Sequence, residues 1–379
     1  MLPMAIAFLN GAFVDLASAS VAALDSGLQH GVGVFDTMLG GNLLPSAADR
    51  DDALDDAAET NAPRPWLLDL EEHLDRLAES CRELGLTAEL NTEGLARAAL
   101  ETVARSGLAR ARLRITVTGG PLNLLRRNLS ATGEASSPTS APTQGQTGDQ
   151  RPGQPTVLIV ASAATEYPPA MLASGVSVVL ADSKANPFNI FESHKTLNYW
   201  WRLRELQHAA AKDAAEALVF SVTNHLVGGC VSSALLVTGG QVRAPIVRGE
   251  EGQTLSPGQA IASDGRSDDP QRTGSQPAPV ATASGGVLPS AALPSISRRW
   301  AIRELAGEGH NVRREMLTIS DVLAADEIIL LNSSWGALPV VQVESSTVGS
   351  KSGHPGRPGP IGQLLVKSWA AQLAAPPVW

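Results

Sequence analysis

Three polar stretches most constrain how this chain folds: Pro45 to Pro65, Ala131 to Pro155 and about Arg248 to Gly286 carry no apolar periodicity, so every layer of a core must come from the segments between them. Ser, Thr, Gln, Gly, Pro and Asp dominate these stretches, and so few apolar side chains cannot offset the entropy of ordering the backbone. They read as mobile surface insertions on a compact fold, and Ser345 to Pro358 reads as a shorter fourth. Part of the formal net charge of -9 belongs to the first of them, where six acids and two arginines fall between Asp49 and Arg64. The charge argues against a nucleic-acid surface, and it does not describe the field at an active site.

What remains alternates between strand and helix signals. AFLNGAFV (Ala7 to Val14) reads as a hairpin, because Asn10-Gly11 supplies the positive φ angles of a two-residue turn. Asp69 stands three residues before Glu72, a capping-box spacing, and Leu70, Leu74, Leu77, Cys81 and Leu84 then fall on one face of a helix ending near Gly85. Arg112 to Val117 and Thr156 to Val160 read as strands of an antiparallel sheet. Beyond Tyr167 the pattern predicts strand Val176 to Ala181, helix Leu197 to Lys212, strand Ala217 to Val222, a turn at Thr223 to His225, strand Leu226 to Val237, helix Ser297 to Ala306 and strand Glu327 to Leu331. Thr318 and Asp321 offer a second capping box. The fold class is α+β with two domains: a small α+β domain over 1–168 and a larger mixed α/β domain over 174–379.

Cys81 and Cys230 make no disulfide framework and sit in no metal-ligand spacing, so no metal is expected and a reducing cytoplasm fits. MLPMAIAFLNGAF lacks a basic n-region, and no run of about 18 apolar residues occurs, which predicts an unexported protein without a membrane span. No GxGxxG follows a strand and opens a helix, which disfavours a nicotinamide enzyme.

Eight blocks in order, FLNGAFV, LDSGLQHGVGVFDTM, LEEHLDRL, LRITVTGG, HKTLNYW, HLVGGCVSSALLV, LPSISRRWAIREL and AADEIILLNSSWGALPV, resemble the class IV aminotransferases, the fold-type IV pyridoxal phosphate enzymes. Branched-chain aminotransferase, D-amino acid aminotransferase and aminodeoxychorismate lyase are members. The resemblance implies pyridoxal 5'-phosphate as cofactor, a small amino donor with a 2-oxo acid acceptor, and a homodimer. It also implies that Lys195 forms the Schiff base; a buried amine of lowered pKa suits that role, and once released it can shuttle the substrate's α proton.

By the same resemblance, Arg76 holds the cofactor phosphate together with Ile296 and Ser297 at a helix start, where free amides favour an anion. Ser333 adds a hydroxyl to the phosphate, Tyr199 bonds the cofactor's phenolic oxygen, and Phe35 lines the substrate pocket. Read without the resemblance, Arg76 is an i,i+4 ion pair with Glu72, Ser297 a helix cap, Ser333 a turn residue, and Tyr199 and Phe35 core aromatics.

Some positions depart from the family. Gly228 stands where a glutamate usually keeps the pyridine nitrogen protonated, and Ser233 where asparagine is usual. Gly119 replaces an arginine that binds substrate carboxylate in several members, Ser26 and Val32 replace an arginine and an aspartate, and Asp36 replaces glutamate. Ser295 and Ser297 stand for glycine and threonine. Without a carboxylate beside the ring, transamination loses part of its electron sink, which favours an elimination like that of aminodeoxychorismate lyase, or a cofactor-binding homologue with little turnover.

Overall fold

The computed structural model describes residues 6–43, 64–121, 154–251, 288–350 and 352–377. Most of the three polar insertions therefore lies outside the described residues. Their edges do not: Arg64–Leu67 is a strand, and Arg248 and Glu250 are built into ion pairs with Glu83 and Arg298. Ser345 to Pro358 is not an excursion, since Val348 is buried in the core and the Gly349 amide donates to Ala325 O.

The first sheet has six strands in the order β2-β1-β6-β5-β3-β4, all antiparallel: β1 Ile6–Leu9, β2 Ala12–Asp15, β3 Gly33–Leu43, β4 Arg64–Leu67, β5 Ala111–Thr118 and β6 Val157–Ala163. Asn10 and Gly11 take φ of 49° and 95°, the positive angles that the first hairpin demands. On one face, Val34 and Met38 of β3 and Leu113, Ile115 and Val117 of β5 pack under the helices Leu70–Glu83 and Thr92–Ser106. The apolar stripe of the first helix forms as its spacing predicts, with Leu84 partly buried at its end. Its expected capping box does not form. Asp69 has φ of 50° and makes no side-chain cap bond, and it faces Arg303 instead.

The second sheet has nine strands, β12-β11-β10-β13-β14-β7-β8-β9 with β15 paired to β14. They are β7 Val176–Leu180, β8 Glu216–Phe220, β9 Leu226–Gly229, β10 Ser233–Thr238, β11 Gln241–Pro245, β12 Val312–Glu315, β13 Glu327–Asn332, β14 Gly336–Val343 and β15 Ser346–Thr347. Parallel pairs β14–β7, β7–β8 and β11–β12 sit among antiparallel ones, so the sheet is mixed as expected. Thr318 and Asp321 form a full capping box at the helix Ile319–Leu323.

Two predicted elements differ in ways that matter for function. Leu226 to Val237 is two strands rather than one, broken at Cys230–Ser232. The helix expected from Leu197 begins at Trp200, which leaves Lys195 to Tyr199 non-helical.

One cluster holds the sheets together. Leu39, Trp66 and Leu68 of the first half pack with Leu235, Ile329, Trp300 and Trp369 of the second, so β3 is covered on both faces. Helix Ile296–Gly307 packs within this cluster through Trp300, Ala301 and Leu305.

Candidate active site

A cavity of about 520 Å³, a size suited to a cofactor with substrate, opens between the sheets. Phe35, Arg76, Lys195, Tyr199, Ser297 and Ser333 line it, so six of the seven residues singled out from sequence come together. Ile296 is 1% exposed and stands beside that wall at the first position of its helix.

Backbone pairing fixes the lysine. β4 pairs only with Gly40 to Leu43 of β3, which leaves the edge at Gly33 to Phe35 open. The segment around Lys195 takes that edge: the Phe35 amide donates to Lys195 O at 2.9 Å, the Leu197 amide donates to Gly33 O at 2.9 Å, and Val34 bridges Thr196. Lys195 to Leu197 are thereby held extended along the strand edge, and the helix starts only beyond them, at Trp200. The neighbouring His194 is buried with Nδ1 at 3.0 Å from Ser80 Oγ, and burial, with Arg248 nearby, pushes its imidazole down to about 4, so it anchors the segment as a neutral ring. Lys195 Nζ then lies 4.8 Å from the Phe35 ring centroid and 5.5 Å from that of Tyr199.

Strand alternation sets the rest of the wall. Phe35 and Thr37 of β3 stand opposite Thr116 and Arg114 of β5, and Arg112 is two residues further along the same face, with Leu113 and Ile115 turned to the core. Arg114 Cζ lies 3.7 Å over the Phe35 ring, the ring beneath Lys195. Arg202 also lines the cavity and pairs with Glu192 at 3.4 Å.

Arg76 has a partner other than Glu72. Its Nε and Nη2 donate to both oxygens of Asp36 at 2.7 to 2.9 Å, and its Nη1 donates to Pro294 O at 3.2 Å. His73 Nδ1 lies 2.7 Å from the same carboxylate. Burial alone would raise the Asp36 carboxyl, but Arg76 and His73 outweigh it and hold the group far below the usual carboxylate range.

Ser295, not Ser297, caps the helix Ile296–Gly307 by accepting from the Arg298 amide. Ile296 and Ser297 occupy the first two helical positions, whose amides have no acceptor within a helix. Tyr199 Oη donates to Cys230 O at 3.2 Å, tying the lysine segment to the break between β9 and β10. That break is held from below by Glu216, buried on β8, whose carboxylate accepts from the Cys230 and Val231 amides and from Ser232 Oγ. Gly228, on β9 just before the break, has φ of +143°, and a Cβ there would lie 2.7 Å from Ser232 O.

The donor set fits a phosphorylated aldehyde: an amine on the cavity, a guanidinium, two hydroxyls, and a helix start with two free amides. Sequence reading missed Arg112, Arg114 and His73. Their signals were present in the i,i+2 arginines of RLR on a strand and the i,i+3 His and Arg of HLDR on a helix.

The chain is similar in sequence and in fold to known proteins. A Methanocaldococcus jannaschii protein whose name proposes a branched-chain-amino-acid aminotransferase is 22% identical over 345 residues, covering 91% of this chain and 90% of its own. The branched-chain amino acid aminotransferase of Escherichia coli superposes with a TM-score of 0.68 at 18% identity, covering 98% of this chain and 95% of its own. The T.th. branched-chain amino acid aminotransferase complexed with N-(5'-phosphopyridoxyl)-L-glutamate gives 0.69 at 18% identity, with the same 98% and 95%. The 4-amino-4-deoxychorismate lyase of Pseudomonas aeruginosa gives 0.62 at 20% identity over 97% and 99%. At these identities the structures speak for the fold. The family model for amino-transferase class IV matches residues 56–252 and 286–343, well over half of the sequence. The chain therefore belongs to the amino-transferase class IV family, pyridoxal phosphate enzymes that are aminotransferases or lyases.

Proposed function

We propose that this chain is a pyridoxal phosphate-dependent aminotransferase-like enzyme acting on a small amino acid through Lys195. The observation that carries the reading is the pinned lysine, whose amine shares a cavity with Arg76, Ser297 and Ser333. Bound there, the cofactor supplies an aldehyde and an electron sink. Lys195 Nζ is the nucleophile toward that aldehyde and, once released, takes the proton from the substrate's α carbon. Arg76, Ser297, Ser333 and the amides of Ile296 and Ser297 hold the phosphate. Tyr199 faces the ring oxygen, and Phe35 lines the substrate space.

Arg112 and Arg114 receive the substrate carboxylate, the work that the arginine absent at Gly119 does in several relatives. Arg76 is balanced by Asp36 and Arg202 by Glu192, which leaves the cations of Arg112 and Arg114 to favour an acid as substrate, with a 2-oxo acid as acceptor.

A second reading, elimination of the aminodeoxychorismate lyase type, is favoured by Gly228, which brings no carboxylate to the ring nitrogen. Stopped-flow absorbance of the cofactor-loaded enzyme with L-amino acids, D-amino acids and aminodeoxychorismate separates the two. Conversion to the aminated cofactor supports transfer, and product release without it supports elimination. No spectral change with any of them would leave a cofactor-binding protein with little turnover and refute both.

The division into lobes over 1–168 and 174–379, a cytoplasmic location and a homodimer belong to the same proposal. Exposed Phe188, Ile190, Phe191 and Trp200 around the lysine segment support the dimer, which light scattering on a sizing column tests. Among the described residues no helix is long and apolar enough to cross a membrane.

A further inference from the structure

Arg76 reaches the cavity with its charge already balanced. Asp36 binds it through two nitrogens, and both groups are buried, so a phosphate dianion arriving at this wall meets a neutral pair. The same carboxylate accepts the Thr37 amide at 2.8 Å and faces His73 Nδ1 at 2.7 Å. The other nitrogen of His73, Nε2, lies 3.5 Å from Ser333 Oγ, and Ser333 lines the cavity. His73 is 1% exposed, so its hydrogen bonds run to these partners and not to bulk water.

The chain from Asp36 to Ser333 has two states. With Nδ1–H donating to Asp36 and Nε2 bare, the imidazole accepts the Ser333 hydroxyl hydrogen, and the serine turns lone pairs toward an incoming anion. With Nε2 protonated, the imidazole donates to Ser333 Oγ, whose own hydrogen is then free to donate into the cavity. The second state also adds the positive charge that Asp36 has taken from Arg76.

We infer that Asp36 and His73 are positioning residues of the phosphate cradle, and that anion binding draws one proton from solvent onto His73 and so makes Ser333 a donor. The inference rests on the phosphate roles proposed above for Arg76 and Ser333. The charged groups around His73 are Asp36 from β3, Arg76 from its own helix and Asp69 at the start of that helix, with Glu72, Lys195, Arg299 and Arg303 one partner further out. The Asn332–Trp335 turn that carries Ser333 brings no charged side chain.

Inorganic sulfate tests this on the full-length chain freed of cofactor, because sulfate stays a dianion from about pH 6 to about pH 9 and any pH dependence belongs to the protein. A Lys195→Ala background removes the amine from the cavity, and isothermal titration calorimetry reports binding. The dissociation constant should rise up to about tenfold per pH unit once the imidazole has lost its proton, the limit for one coupled proton, and His73→Gln should flatten that slope. Ser333→Ala, a small change on the cavity wall, should weaken sulfate about tenfold near pH 6 and less than about twofold near pH 9, because the hydroxyl donates only when His73 is protonated.

An equal Ser333→Ala loss at both pH values, or an unchanged slope in His73→Gln, overturns the inference while leaving the phosphate roles standing. Sulfate that neither competes with pyridoxal phosphate nor responds to Arg76→Ala overturns the phosphate roles, and the inference with them.

Discussion

Gly228→Ala tests the tightest backbone approach beside the break between β9 and β10. The glycine has φ of +143°, a region that side chains rarely occupy, and the added Cβ would lie 2.7 Å from Ser232 O and 3.2 Å from Ser233 Cα. Both contacts are backbone, and the loop they belong to is tied down by Glu216 through the Cys230 and Val231 amides and Ser232 Oγ, so the neighbours cannot swing aside. Backbone strain at such an angle costs about 1–3 kcal/mol, and forcing a methyl into a filled space costs about 1–3 kcal/mol more. The variant should therefore lose about 2–6 kcal/mol, read as a lower midpoint in guanidinium chloride followed by far-UV circular dichroism at unchanged slope. A wild-type midpoint would show that the glycine is not required by the loop, and would refute the reasoning. Gly228→Glu should be destabilised in the same way and give no gain in transamination, because the backbone at 228 leaves no room for a side chain.

Other consequences follow from the same contacts. Asp36→Asn strips the partner from a buried guanidinium and should cost about 3–5 kcal/mol in the same denaturant assay. Because the Asp36 carboxyl is held below its unfolded value, its stabilisation is complete above about pH 4 and is lost as pH falls below that; the wild type should weaken in acid through this group, and Asp36→Asn should lack that part of the loss. Arg112→Met keeps the side chain's length and removes its charge, so KM for a carboxylate substrate should rise about tenfold or more in steady-state kinetics, and an unchanged KM would remove Arg112 from the substrate site. Burial pushes the thiols of Cys81 and Cys230 up to about 12, so neither should react with iodoacetamide near neutral pH until the protein is unfolded, as a mass count of adducts would report.

Local chemistry was legible in the sequence wherever a structure depends on near neighbours. The Asn10-Gly11 turn, the Thr318–Asp321 capping box and the apolar stripe from Leu70 to Cys81 all follow from spacing, and all form. Asp69 fails as a cap because its side chain faces Arg303, a residue the spacing cannot see. The same limit hid the partner of Arg76, since Asp36 lies on a strand paired to β5, while Glu72 is merely near in sequence. It also hid the late helix start, which exists because an unpaired edge of β3 captures the backbone at Lys195 and Leu197. Six of the seven residues that the eight blocks singled out line one cavity; the electrostatics that join them are set by tertiary contacts.

The account stands or falls on one amine. Borohydride reduction of the cofactor-loaded protein, followed by digestion and mass spectrometry, should find the phosphopyridoxyl mass on the peptide containing Lys195. An adduct on Lys184, Lys212, Lys351 or Lys367 instead, or none after reduction of a protein that holds the cofactor, would contradict it.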